Sequence, residues 1–202
     1  MTEPIHQAPS SNFYFEPAFN IQAAKILPGE YHVTDQNIVL TTLLGSCVTA
    51  CIRDPVSRIG GMNHFLLPDT SNKQDAGSDS ARYGAYAMEV LINQLTKMGA
   101  HRRRLEAKVF GGANVLSKLS HNNVGKRNAE FVIEFLTTEG IPILAQDLGG
   151  HQARKVAYFP ATGEARLKRL IEATPETLID AEQRYRRQIS DRPIAGDIEL
   201  FD

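Results

Sequence analysis

Three short apolar runs, residues 38–44, 48–52 and 59–67, follow one another with only small or turn-forming residues between them. Runs of this length, rich in Val, Ile and Leu and bounded by turn residues, form strands rather than helices. Gly45-Ser46 breaks the first run from the second, and Asp54-Pro55-Val56-Ser57 turns the second into the third. The spacing predicts one hairpin. Cys47 heads its second strand, and the third run returns His64 toward the same end of the sheet. A thiol beside an imidazole is the minimum equipment for covalent acyl chemistry, because the imidazole favours the thiolate and the thiolate is the nucleophile.

Cys51 is the control. It lies four residues beyond Cys47, on the same side of a strand, among apolar and small neighbours. It reads as a small buried hydrophobe. Cys47 differs in what precedes it. A Gly-Ser break lets backbone N–H groups turn outward, so those of Ser46 and Cys47 are candidates to hold the oxyanion of a tetrahedral intermediate. From the residues alone, a catalytic and a structural Cys47 both stand open.

The segment Leu44-Gly45-Ser46-Cys47-Val48, followed by Asp54-Pro55 and by Gly60-Gly61-Met62-Asn63-His64-Phe65-Leu66-Leu67-Pro68, resembles the chemoreceptor glutamine deamidase family, CheD. Phe110-Gly111-Gly112-Ala113-Asn114, Asp147-Leu148-Gly149-Gly150 and Arg154-Lys155-Val156 extend the resemblance in the same order, over residues 29–170. It implies hydrolysis of glutamine side-chain amides on chemoreceptors to glutamate and ammonia. Cys47 would be the nucleophile and His64 the base and acid. Thr41, six residues before Cys47, matches a third active-site position. The implied fold is α+β: two packed mixed β-sheets flanked by helices (α/β/β/α), similar to deamidating toxins of the cytotoxic necrotizing factor type. The implied partners are cytoplasmic domains of chemoreceptors and a CheC-type phosphatase. Two rival readings share the residues: a cysteine amidohydrolase with another substrate, and a receptor- or phosphatase-binding module with little catalysis.

At 202 residues the chain suits one domain. The expected division is an N-terminal arm, partly disordered, over 1–28, a cysteine deamidase domain over 29–172, and a C-terminal helix with a mobile tail over 173–202. A net charge of -1 argues against nucleic acid as a partner. Two cysteines four apart on one strand cannot bridge, which suits a reducing compartment. With no signal pattern and no apolar run near the ~18 residues of a membrane span, a cytoplasmic monomer without membrane insertion is expected. No His, Cys and carboxylate cluster has metal-ligand spacing, so neither metal nor cofactor is expected.

Helical spacing of Met88, Leu91, Leu95 and Met98 predicts a helix capped at Asp79 or Ser80 and closed by Gly99. A second helix ends near Glu139 and buries Phe131, Val132, Phe135 and Leu136. A third begins at Thr174-Pro175-Glu176 and runs to about Gln188. Its second half carries Glu182, Gln183, Arg184, Arg186 and Arg187, which predicts a surface helix. Phe13-Tyr14-Phe15 reads as an aromatic arm, His101-Arg102-Arg103-Arg104 as a solvated loop, Gly111-Gly112 as a tight turn near the site, and His151 as a residue that could line it.

Overall fold

The computed structural model describes residues 7–68, 76–115, 124–170 and 176–191. Its strands are β1 (Ala8–Pro9), β2 (Asn12–Glu16), β3 (Ile21–Lys25), β4 (Glu30–Thr34), β5 (Val39–Leu44), β6 (Val48–Asp54), β7 (Ile59–Asn63), β8 (Glu106–Gly111), β9 (Ile143–Leu148), β10 (Arg154–Phe159) and β11 (Glu164–Arg169). The helices are α1 (Ala76–Lys97), α2 (Val124–Thr138) and α3 (Glu176–Asp191), with a short 3₁₀ turn at Arg102–Arg104. The strands form two mixed sheets. One runs β1-β4-β7-β6-β8-β9 and the other β11-β10-β5-β3-β2.

Two apolar layers hold these sheets. Val48, Ala50 and Ile52 of β6 face α1 and α2, packing with Met88, Leu91, Leu95, Val132 and Leu136. Cys47 and Cys51 point the other way, into a layer between the sheets with Leu40, Leu44, Met62, Leu66, Val156 and Tyr158. This is the period-2 alternation of a strand buried on both faces.

The expected hairpin is only half present. β6 pairs with β7 in antiparallel register, but β5 pairs with β10 and β3 in the other sheet. Gly45-Ser46-Cys47 is therefore the crossing between sheets rather than a hairpin turn. The layering also differs from α/β/β/α. α1 and α2 connect β7 to β8 and β8 to β9, all strands of the six-stranded sheet, and both pack on that sheet's outer face. The outer face of the five-stranded sheet instead carries Phe19 and Phe159 edge to face, with Arg166 stacked on both rings.

Other local expectations shift. α1 starts at Ala76, before the expected caps, and Met98 is exposed beyond its end rather than part of the core stripe. Phe13-Tyr14-Phe15 lies in β2, which packs on the main sheet by pairing along its whole length with β3. The arginine run is engaged by acids, with Arg102 on Glu139 at 2.5 Å and Arg104 on Asp54 at 2.6 Å. Thr174 and Pro175 lie outside the described residues. Among the described residues no helix is long and apolar enough to cross a membrane.

Candidate active site

The crossing at residues 45–47 is gripped from one side. Ala113 N–H donates to Gly45 O at 2.8 Å, Asn128 Nδ2 to Ser46 O at 2.7 Å, and Gly112 N–H to Cys47 O at 2.7 Å. In a trans peptide the N–H of the next residue points opposite to the carbonyl. Holding the Gly45 and Ser46 carbonyls therefore turns the Ser46 and Cys47 N–H groups toward the other side. Gly111, at φ +116°, permits this grip: a Cβ there would lie 2.2 Å from Cys47 O. Buried Arg154 ties the turn down by donating to Gly111 O at 3.0 Å and pairing with Asp147 at 2.7 Å. The paired glycines thus serve as a tight turn against the cysteine loop.

His64 reaches the same side through β6–β7 pairing. Val48 and Phe65 exchange both backbone hydrogen bonds at 3.0 Å. Cys47 and His64 each precede one member of that pair, and Met62 and Leu66, two residues either side of His64, face the inter-sheet layer with Cys47. The imidazole is oriented by its Nδ1, which lies 2.8 Å from Thr42 Oγ1 and 3.3 Å from Ile26 O. A carbonyl only accepts, and the Thr42 hydroxyl gives its own proton to Ile26 O at 2.7 Å. Nδ1 therefore carries the ring proton and Nε2 carries the lone pair. Nε2 is buried without a hydrogen-bond partner among the described residues.

The side chain on His64 is thus that of Thr42, not Thr41. Thr41 projects to the outer face of β5, where its hydroxyl meets Tyr14 OH at 2.9 Å in a cavity of about 420 Å³ lined also by Glu16, Lys25 and Lys155. One step along a strand reverses a side chain, so adjacent threonines serve opposite faces. His151 is exposed and borders a different cavity, beside Gly112, Asn114, Lys126 and Glu130.

Two residues escaped the sequence reading. Asn128 is fully buried on α2 and ties the crossing at residues 45–47 to the segment after β7, donating to Ser46 O and accepting from Leu67 N–H at 2.9 Å. Glu182, expected on the surface, is 4% exposed. Its Oε1 accepts from the N–H groups of Gly45 at 2.9 Å and Cys47 at 3.3 Å, and its Oε2 from Ser46 N–H at 3.2 Å and Ser46 Oγ at 2.7 Å. A signal existed: Leu178, Glu182, Tyr185 and Ile189 fall on one helical stripe, so the glutamate interrupts an otherwise apolar face.

Both reactive groups are held neutral. Burial pushes the Cys47 thiol well above its usual range, and the Glu182 carboxylate, as a charge and as a hydrogen-bond acceptor, pushes it further. Burial lowers His64 to about 4, against the opposing pull of Glu182. Among the described residues no three His, Cys, Asp or Glu side chains are grouped to hold a metal.

A thiol, an imidazole with a free ring nitrogen, and three inward N–H groups are the parts that acyl transfer through a cysteine requires, here set where two mixed sheets of an α+β fold cross. A family model described as "CheD chemotactic sensory transduction" matches residues 66–169. The similarity to individual relatives reaches further, across Cys47 and His64. A "Probable chemoreceptor glutamine deamidase CheD" of Methylobacillus flagellatus is 52% identical over 204 residues, covering 100% of both chains. A "Probable chemoreceptor glutamine deamidase CheD 1" of Dechloromonas aromatica is 56% identical over 192 residues, covering 95% of each. The chain belongs to the CheD family. Among solved structures, Bacillus licheniformis hypothetical protein YfiH matches with a TM-score of 0.36 and 13% identity, over 57% of this chain and 49% of its own.

Proposed function

We infer that this chain is a protein-glutamine deamidase that converts glutamine side chains of chemoreceptors to glutamate. The observation that carries the chemical reading is convergence. The N–H groups of Gly45, Ser46 and Cys47 and the Cys47 thiol meet at one carboxylate, that of Glu182, whose charge also acts on the His64 ring. A carboxylate there occupies the position that the reacting amide of a glutamine would take.

In this reading Cys47 Sγ attacks the side-chain carbonyl carbon and its proton passes to His64 Nε2. The oxygen, now negative, is held by the N–H groups of Ser46 and Cys47, with that of Gly45 beside them. Breaking the C–N bond returns the Nε2 proton to the departing nitrogen and releases ammonia. A water molecule, giving a proton to Nε2, then attacks the thioester carbon. The C–S bond breaks, glutamate leaves, and the thiol recovers its proton. Thr42 and Ile26 act as positioning groups, because they fix the tautomer that leaves Nε2 basic. Acid–base help of this kind is worth about 10² to 10⁴ in rate, and each oxyanion donor about 10² to 10³.

The family resemblance adds cytoplasmic receptor domains as the substrate and a CheC-type phosphatase as a regulator of a monomeric enzyme. The test is mass spectrometry of a cytoplasmic chemoreceptor fragment incubated with this protein and with its Cys47→Ala variant. Amide-to-acid conversion seen only with the unmodified protein is the expected result. Equal conversion by both would end the covalent mechanism.

A further inference from the structure

Glu182 has no step in the chemistry above, yet its carboxylate fills the centre of the site. Among the described residues the groups that donate to it are three backbone N–H groups, one hydroxyl and the Cys47 thiol, none of them a cation. A buried carboxylate is costly without such partners, so the fit is specific. It is presented from a helix, and it differs from a glutamine carboxamide only in an oxygen replacing the nitrogen. It is therefore the side chain that the deamidation reaction would leave behind.

The helix that carries it is docked rather than merely adjacent. Leu178, Tyr185 and Ile189 are buried on the same stripe. Tyr185 and Ile189 join the apolar layer that contains Cys47 and Leu66. The Tyr185 ring lies over Gly29, where a Cβ would come within 2.6 Å, and its hydroxyl meets that of Tyr83. With α3 seated, Cys47 is 0% and His64 1% exposed, so no substrate can touch either group.

We propose that α3 is a resident product mimic: Glu182 sits where the carboxyl of a reacted glutamine would sit, and α3 must withdraw before a substrate side chain reaches Cys47. The identity of what is mimicked rests on the deamidase reading; the block itself rests on geometry. A tethered occupant competes at the millimolar effective concentration typical of an intramolecular ligand. It also keeps the nucleophile neutral, since the Glu182 charge opposes thiolate formation. The closed protein is thereby both sealed and disarmed.

The experiment uses the full chain in five forms: unmodified, Glu182→Ala, Ile189→Asp, Glu182→Gln, and Glu182→Gln with Cys47→Ala, each checked for folding by thermal melt. Iodoacetamide alkylation of Cys47, located by peptide mass spectrometry, should quicken by at least about tenfold in both Glu182→Ala and Ile189→Asp. Unchanged alkylation in both folded variants overturns the block. Deamidation of a chemoreceptor fragment, followed alongside, should rise in Glu182→Ala. If alkylation quickens while no form deamidates the fragment, the block stands and the deamidase reading fails for that substrate. A fall in deamidation with Glu182→Ala, on a folded protein, overturns the proposal by making Glu182 a participant. Glu182→Gln probes the mimicry: position 182 should revert to glutamate within the purified protein, and not when Cys47→Ala is added. No reversion in a protein that still deamidates the receptor fragment overturns it.

Discussion

Asp54 and Glu182 are buried carboxylates at opposite ends of the same strand, β6, and both are fed by backbone N–H groups. Their closures differ. Asp54 accepts from Val56 at 3.0 Å and Ser57 at 3.4 Å within its own turn, and from His101 at 2.9 Å. The Arg104 guanidinium then closes the nest at 2.6 Å and holds the Asp54 carboxyl well below the usual carboxylate range. Glu182 accepts from residues more than 130 positions away, carried in by a single helix, and among the described residues no cation hydrogen-bonds it. The first arrangement is a lock: its own turn supplies two of the donors, and a charge partner from the Arg102–Arg104 turn completes it. The second is an occupancy: the Ser46 and Cys47 N–H groups are turned inward by the grip of Ala113 and Asn128 on the Gly45 and Ser46 carbonyls, a grip in which Glu182 takes no part. Donors fixed by other partners are what a site keeps for something that comes and goes.

The largest effect should come from the nucleophile next to the occupied end. Cys47→Ala is expected to cut deamidation at least about 10³-fold without loss of fold. Cys51→Ala, equally buried on the same strand face, should stay within about threefold, since it removes only a small apolar group. Steady-state assay with a thermal melt separates the two, and a comparable loss in a folded Cys51→Ala would mean that the wrong thiol was chosen.

The locked end should break differently. Asp54→Ala strands three N–H groups and a guanidinium, and is expected to lower the melting temperature by about 5–10 °C. Glu182→Ala should lower it by clearly less, because water can satisfy N–H groups on the vacated side. Equal losses in calorimetry would erase the distinction between lock and occupancy.

Acid should sharpen the contrast through His64. Its folded pKa, about 4, lies below the unfolded value of about 6.5, so the unfolded chain binds more protons between those values. Stability attributable to His64 is therefore full above about pH 6.5 and falls as pH drops toward 4, by up to about 3 kcal/mol. The Asp54 contribution, with its carboxyl depressed, is lost only below the ordinary aspartate range. Denaturant melts across this window should find the His64 component removed in His64→Gln and retained in Asp54→Asn.

The smallest effect concerns the two threonines. Thr42→Val removes the acceptor of the His64 Nδ1 proton and is expected to reduce kcat by about 10- to 100-fold, with KM little changed. Its pH–rate profile should also shift, which a purely structural role would not cause. Thr41→Val should change kcat less than about threefold, since Thr41 faces Tyr14. The reverse ranking would restore Thr41 to the site.

Much of this was legible locally. The apolar runs of β5 to β7 and the stripes of α1 and α2 follow from period 2 and period 3.6, and the Gly45-Ser46 break marks where the chain leaves one strand for the next. The choice between Thr41 and Thr42 was not legible. β5 is a central strand covered on both faces, so its sequence carries no apolar–polar alternation from which to read parity. α3 misled for a related reason. Its exposed arginines dominate its composition, while four stripe residues decide where it docks.

The sequence by itself determined the strands and helices, the cysteine placed just past a Gly-Ser break, and the kinship with chemoreceptor glutamine deamidases. Each depends on neighbours within a few residues or on motifs in fixed order. Only the tertiary structure decided that residues 45–47 cross between sheets, that Thr42 orients His64, that Asn128 braces the loop, and that Glu182 fills the site. Those contacts join residues 16 to 137 positions apart, a separation at which no local periodicity survives and only the packing of whole layers fixes who meets whom.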